Sequence, residues 1–401
     1  VLSAHFPPET TGNAPYVGRL ASGLAAVGSR VRVLTAHPHY PEWAIREGYG
    51  QWIRRDDRDG VVVVRHRHYV PTKPTNLKRL VAELSLGLRF ATSRWGRPDL
   101  ILLVSPALFS SAVAMVRARL FHPRALIGVW VQDIYSVGAA ETGGHSAVAA
   151  VIKRIESWLL RSADGVSVIH SRFATVMTTS LAVDPTRVEV VRNWTHLDDS
   201  PAQDRAAWRK KLGWPDGAIV VLHAGNMGVK QGLQNVVDAA RLADDSDRDV
   251  LFVLMGDGNQ KTILMDYARG VRSLVFLESV TNEDFVNVLG AADILLVNEK
   301  VGVAEMSVPS KLTSYFRAGR PVLAATAAEG ATAAELSSST AGEHVPAGDP
   351  SALLDAAVAL GDDTTRSETL GRNGQEFAAR VLDEAAALDH HRRWLASLRR
   401  G

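Results

Sequence analysis

Short apolar runs alternate with stretches of helical period along most of the chain. Runs at 31–35, 61–65, 100–104, 125–131 and 165–169 are apolar at successive positions, as in strands covered on both faces. Between them, 16–27, 76–95, 107–120 and 147–160 carry apolar residues at helical spacing, and the first of these ends at Gly28, a helix-capping residue. The pattern pauses over the polar stretch 192–207, which contains Asp198-Asp199-Ser200-Pro201. It restarts with runs at 219–223, 250–255, 274–277, 294–297 and 321–324. Such alternation predicts parallel sheets with helices on both faces. Two blocks joined by one linker predict an α/β protein of two lobes, with a cleft at the carboxyl ends of the strands. Ser337-Ser338-Ser339-Thr340 reads as a surface loop, and 383–400 as a closing helix with a basic end.

Composition narrows the classes. The 401 residues suggest two or three domains at roughly 150 residues each. Forty-five Lys and Arg against 43 Asp and Glu leave a net charge of +2, without the excess of base that a nucleic-acid binder uses. The absence of Cys excludes disulfides, thiolate nucleophiles and Cys-ligated metals. No secretory signal pattern opens the sequence, so a cytoplasmic location is expected. The longest uncharged run, 100–116, is broken by Ser105-Pro106 and Ser110-Ser111 and reads as strand, turn and helix rather than a membrane span. The segment 76–97 sets Lys78, Arg79, Arg89, Arg94 and Arg97 beside Leu residues and Trp95. It reads as a solvated face, or as a surface touching an anionic membrane.

Several strand ends could carry chemistry. Pro7-Pro8-Glu9-Thr10-Thr11-Gly12-Asn13-Ala14 opens a helix with small residues, an arrangement that suits either a phosphate or a tight turn. His223-Ala224-Gly225-Asn226-Met227-Gly228-Val229-Lys230-Gln231-Gly232 repeats that layout in the second block, with a lysine among glycines. Gly256-Asp257-Gly258 ends another strand, where glycine admits close approach of a ligand. Pro309-Ser310-Lys311 starts a helix that Gly319 ends, placing Ser and Lys at its positive end. Asp133, after the run 125–131, is a carboxylate at a strand end, either a sugar ligand, a catalytic group or a cap. The pairs His37 and His39, His66 and His68, and His390-His391 have ligand-like spacing but no neighbouring carboxylate in sequence, so no metal is expected.

Taken together, these segments resemble glycosyltransferase family 4, the retaining, nucleotide-sugar-dependent enzymes of the GT-B fold. The resemblance also uses Ala291-Ala292-Asp293 and Ala318-Gly319-Arg320-Pro321-Val322, and runs over nearly the whole chain. His37-Pro38-His39-Tyr40-Pro41 and Val131-Gln132-Asp133-Ile134-Tyr135 look like the bacterial exopolysaccharide and O-antigen branch that transfers fucose or N-acetylfucosamine. The resemblance implies two Rossmann-like lobes, 1–197 on the acceptor side and 198–382 on the nucleotide-sugar side, with the helix at about 383–401 packing back on the first. It implies that Gly12, Asn13, Gly225, Asn226, Lys230, Ser310 and Lys311 meet the donor diphosphate or sugar. Gly256, Gly258, Leu277 and Ser314 would meet the nucleoside, and Asp133 and Glu305 the reacting sugar. Ser314 stands where the family has the ribose-binding Glu, Glu305 lies one residue off the first hallmark Glu, and Gln231-Gly232 replaces Lys-Gly. The implied reaction uses no metal and no cofactor beyond the nucleotide sugar. The acceptor would be lipid-linked or a polysaccharide precursor, with peripheral membrane contact. A small soluble acceptor, a nucleotide-sugar 2-epimerase and a non-catalytic nucleotide-sugar binder are the alternatives.

Overall fold

The computed structural model describes residues 1–9, 12–137, 146–195, 204–302 and 311–399. The chain divides into two compact units: Val1–Asn193 with the chain from Ala385 onward, and Trp194–Glu384.

The first unit is built on one mixed sheet. Leu2 bridges in parallel to Leu34 of β1 (Arg32–Ala36) and to Leu103 of β4 (Leu100–Val104). On one side β1 pairs with β3 (Val61–His66), which pairs in turn with β2 (Ile53–Arg58). On the other side β4 pairs with β5 (Leu126–Val131), β6 (Gly165–Val168) and β7 (Val188–Val190), all parallel. The chain therefore winds outward from Leu2 in one direction, then returns and winds in the other. The crevice at such a reversal is where doubly wound sheets bind ligands. Helices α1 (Ala14–Ala26), α2 (Asn76–Thr92), α3 (Leu108–Phe121), α4 (Ser146–Arg161) and α5 (Ser171–Thr179) fill the crossovers.

β2 is a departure from the apolar pattern. Its sequence, IRRDDR, is polar at five of six positions because it is an antiparallel edge strand. Asp59 and Gly60, both at positive φ, make the tight turn that joins it to β3.

The second unit holds a six-stranded parallel sheet in the order β10-β9-β8-β11-β12-β13. Its strands are β8 (Ile219–Ala224), β9 (Val250–Met255), β10 (Leu274–Leu277), β11 (Ile294–Asn298), β12 (Val322–Thr326) and β13 (Gly342–Pro346). The reversal here falls between β8 and β11. Every residue of β9 and β11 is buried, so helices cover both faces. They are α6 (Arg205–Leu212), α7 (Gln234–Asp245), α8 (Lys261–Tyr267), α9 (Asn282–Ala291), α10 (Lys311–Ala318), α11 (Ala331–Ser339), α12 (Pro350–Asp362) and α13 (Thr364–Val381).

Ser337, Ser338 and Ser339 form the last turn of α11 and not a loop. The Ser338 and Ser339 hydroxyls donate to the carbonyls of Ala334 and Leu336, while buried Leu336 anchors the turn. Thr340, in the left-handed region, then ends it. Two motif residues of this unit are structural. Asp293 accepts from the Val220 amide at 2.8 Å and pairs with Arg209 and Arg205, and Arg320 donates to the Gly290 carbonyl.

Helix α14 (Glu384–Ser397) returns the chain to the first unit. Trp394, buried, lies where a Cβ at Gly128 would stand 3.1 Å from its ring, and Leu398 fills the space over Gly165. Trp394→Ala is expected to destabilise the first unit by about 3–5 kcal/mol. Urea unfolding followed by the remaining tryptophans would check this, and an unchanged midpoint would refute it.

Candidate functional site

In the second unit the site grows from the carboxyl ends of β8, β9 and β11. After Ala224 the chain must turn sharply, and Gly225 does so at φ +133°. The Gly225 N–H donates to the Met255 carbonyl at 2.9 Å, and the Met227 N–H donates to that of Asp257 at 2.8 Å. These bonds lock the loop after β8 to the loop after β9. A Cβ at Gly256 would collide with the Gly225 carbonyl, so the two backbones meet because residue 256 is glycine. Gly258 lies under the Asn226 side chain and the Met227 carbonyl. Gly225 and Asn226 are exposed at the surface of this cradle.

Helix α10 supplies a cation to it. Lys311, its first residue, places Nζ 3.2 Å from Nε2 of buried His223 and 3.6 Å from the position a Gly225 Cβ would occupy. Burial pulls the Lys311 ammonium down to about 7, while Glu299 pulls the other way. Burial also holds His223 well below the usual imidazole value, so it faces the ammonium as a neutral ring. The Tyr315 hydroxyl, one turn on, accepts from the Ala224 amide at 2.8 Å and donates to the Leu296 carbonyl at 3.3 Å. That bond ties α10 to β8 and β11 and so fixes where the ammonium stands.

The loop after Gly228 is clasped differently from what its lysine suggested. Gln231 turns its side chain back, and Oε1 accepts from the Gly228 N–H at 3.0 Å. Asn298 donates to the carbonyls of Gln231 and Gly232. Lys230 is exposed, and Leu277, at the end of β10, is half-buried. Ser314 is buried in α10. Glu305 and Ser310 lie outside the described residues. His223, Tyr315 and Glu299 went unmarked as site residues in the sequence, because an apolar strand and a helix interior conceal which side chain faces a loop.

The first unit gathers a second set at its own reversal. Asn13 caps no amide of α1; its Nδ2 donates instead to the Ser105 carbonyl at 2.8 Å. The Ser105 hydroxyl accepts from the amides of Gln132 and Asp133 and donates to the Asp133 carbonyl at 3.1 Å. Ser105 thus brings Asn13 and exposed Asp133 to one crevice, with Gly12 at φ +63° beside Asn13.

The histidine pairs are not without a carboxylate. Glu9, from the loop after the first strand, is buried beside His39 from the loop after β1. Its Oε1 accepts from the amides of His39 at 2.8 Å and Tyr40 at 2.9 Å, and its Oε2 accepts from His5 Nδ1 at 2.8 Å. Glu9 lies 30 residues from His39 in sequence, which is why spacing alone missed it. Burial raises the Glu9 carboxyl, but the bonds from His5, His39 and Tyr40 prevail and hold it below the usual range.

The chain resembles known proteins over most of its length. Residues 11–194 match the family described as "Glycosyl transferase 4-like domain", and residues 218–363 match "Glycosyl transferases group 1". The putative colanic acid biosynthesis glycosyl transferase WcaI of Escherichia coli is 33% identical over 336 residues, covering 80% of this chain and 81% of that one. The 2-deoxystreptamine glucosyltransferase of Streptomyces kanamyceticus is 26% identical, covering 71% and 75%. In fold, Anabaena HepE in complex with UDP-glucose superposes with a TM-score of 0.71 at 18% identity, covering 99% and 98%.

Lys311→Ala is expected to weaken nucleotide-sugar binding by about 2–4 kcal/mol, because it removes the cation from a desolvated cradle. The charged ammonium is present below about pH 7 and lost as pH rises through that value. Calorimetric affinity of the native chain is therefore expected to fall above pH 7, while that of the variant stays flat. A nucleotide sugar is the right probe, since its diphosphate diester does not itself titrate there. Equal affinities, or parallel pH profiles, would refute the assignment.

Proposed function

We propose, from the premise that this chain belongs to the 4-like and group 1 glycosyltransferases of the GT-B fold, that it moves a sugar from a UDP- or GDP-sugar to a lipid-linked or polysaccharide-precursor acceptor with retention of anomeric configuration. The observation that carries this reading is the Lys311 ammonium over Gly225, at the start of α10 and at the reversal of a parallel sheet. Oxygen-rich anions fit such a corner. The ammonium and the helix amides oppose the charge that grows on a departing diphosphate. The glycosidic C–O bond to the diphosphate breaks while the acceptor oxygen adds on the same face. The acceptor proton passes to the departing phosphate oxygen. Lys311 lowers the barrier by electrostatics, which is why we propose that donor chemistry needs no divalent cation. Asp133, exposed in the crevice of the first unit, is proposed to meet sugar hydroxyls, and Glu305 to lie at the reacting sugar.

The relatives favour the acceptor class by their own activities. WcaI is described as a colanic acid biosynthesis enzyme, which supports an exopolysaccharide role, with fucose or N-acetylfucosamine as the proposed transferred sugar. The 2-deoxystreptamine glucosyltransferase supports a second reading, a small soluble acceptor. An assay of UDP- and GDP-sugars against both acceptor types, without added magnesium or manganese, separates them. Transfer to the lipid-linked acceptor, with the donor's anomeric configuration kept in the product by NMR, is the expected result. Transfer only to a soluble aminocyclitol would select the second reading, and donor binding without turnover would make the chain a non-catalytic binder.

We further propose a cytoplasmic protein that touches a membrane peripherally through α2. Among the described residues no helix is long and apolar enough to cross a membrane. Helix α2 buries Ala82, Leu86, Gly87 and Phe90, yet exposes Leu77, Val81, Leu84 and Leu88 in a second apolar stripe at helical spacing. Lys73, Lys78 and Arg79 are exposed nearby, which suits anionic lipid. Sedimentation with vesicles containing phosphatidylglycerol should be lost in Leu84→Glu/Leu88→Glu, and equal binding by that variant would remove α2 from the reading.

A further inference from the structure

We infer that His5, Glu9 and His39 form a binding site for a transition-metal ion of the zinc type in the first unit. One ligand atom from each of the three lies within 4.8 Å of the others. The set is two imidazoles and one carboxylate, which suits zinc and its first-row neighbours rather than magnesium. Such a set leaves one position of a tetrahedron open.

The spacing fits. Ligand atoms about 2.0–2.2 Å from zinc stand roughly 3.3 Å apart in a tetrahedron. Here Oε2 of Glu9 is 2.8 Å from His5 Nδ1, and Oε1 is 3.5 Å from His39 Nδ1. Oε1 is held by two amides, so Oε2 is the oxygen left to ligate, and an ion there takes the place of the proton that His5 now donates to it. His39 gives up the bond that its Nδ1 donates to the His37 carbonyl at 2.8 Å, or ligates through Nε2. The carboxylate is already aimed, because the His39 and Tyr40 amides hold its Oε1. Outer bonds of this kind orient ligands in metal sites.

Two further observations point to a guest in this corner. Glu9 and His39 line a cavity of about 230 Å³ together with Tyr40, Glu42 and Arg46. His68, whose ring centroid is 5.1 Å from that of His39, has a buried Nδ1 without a hydrogen-bond partner among the described residues. An ion there would cross-link the loop after the first strand to the loop after β1 and offer a Lewis acid to an oxygen in the cavity. All its ligands belong to the first unit, whereas Lys311 belongs to the second.

The full chain, stripped with a chelator and dialysed, tests this by calorimetric titration with zinc chloride and elemental analysis. About one zinc per chain is expected. Cobalt in its place should give the visible d–d absorption of a four- or five-coordinate ion. His5→Ala should lose more than about 100-fold in zinc affinity, since even outer-sphere partners are worth 10–100-fold. Its circular dichroism should be unchanged, with a modest fall in metal-free melting from the lost bond to Glu9. Should that variant not fold, the imidazole NMR signals of the native chain decide: zinc must shift those of His5 and His39. Background zinc content, a six-coordinate cobalt spectrum, undiminished affinity in a folded His5→Ala, or shifts confined to other histidines would each overturn the site.

Discussion

A half-buried lysine at the start of a helix, its ammonium set against the carboxyl end of a parallel strand, is the constraint around which the second unit is arranged. Desolvating a cation is costly, and an anion delivered to it relieves that cost. Each neighbouring feature preserves the arrangement. Gly225 turns the chain beside the ammonium at a φ of +133°, which other residues rarely adopt, and Gly256 lets the β9 loop close up behind it. Tyr315 fastens the helix that carries the lysine to two strands at once. The neutral His223 ring accepts the ammonium as a polar neighbour without satisfying its charge.

The first unit solves a different problem with the opposite charge. Two loops must meet beside the sheet reversal, and neither has a strand partner to hold it there. One buried carboxylate does so by accepting two amides from one loop and an imidazole N–H from its own. Ser105 does the same on the other side of the reversal, where its hydroxyl and carbonyl join Asn13 to the Asp133 turn. Short polar clasps therefore give these loops the definition that packing gives the strands.

What could be read from the sequence follows the same division. The strands at 100–104, 250–255 and 274–277 have the bounds that their apolar runs suggest, because each is apolar throughout and is flanked by Asp, Ser, Gly or Glu. β2 and β13 carry charge at the sheet edges and left no such mark. The serines of α11 looked like loop, since residue type alone does not reveal a hydroxyl bonded back to its own helix. Gly225, Gly256 and Lys311 were legible as strand-end and helix-start residues. The contact of Lys311 with His223, 88 residues apart, was not. Glu9 reads only as part of a loop, because two of its three partners, His39 and Tyr40, lie 30 and 31 residues on.

The division of the chain also has a consequence for biosynthesis. The second unit is continuous in sequence, whereas the first takes its last helix from the far side of it. The surface over Gly128 and Gly165, which Trp394 and Leu398 cover, has nothing to cover it until the whole second unit has been made. The usual order of synthesis, in which the N-terminal domain folds first, is thereby inverted. The later-made unit can reach its native state on emergence, while the earlier-made one waits with an apolar face open. That interval is when a chaperone would find this chain, and loss of α14 would harm the unit made first.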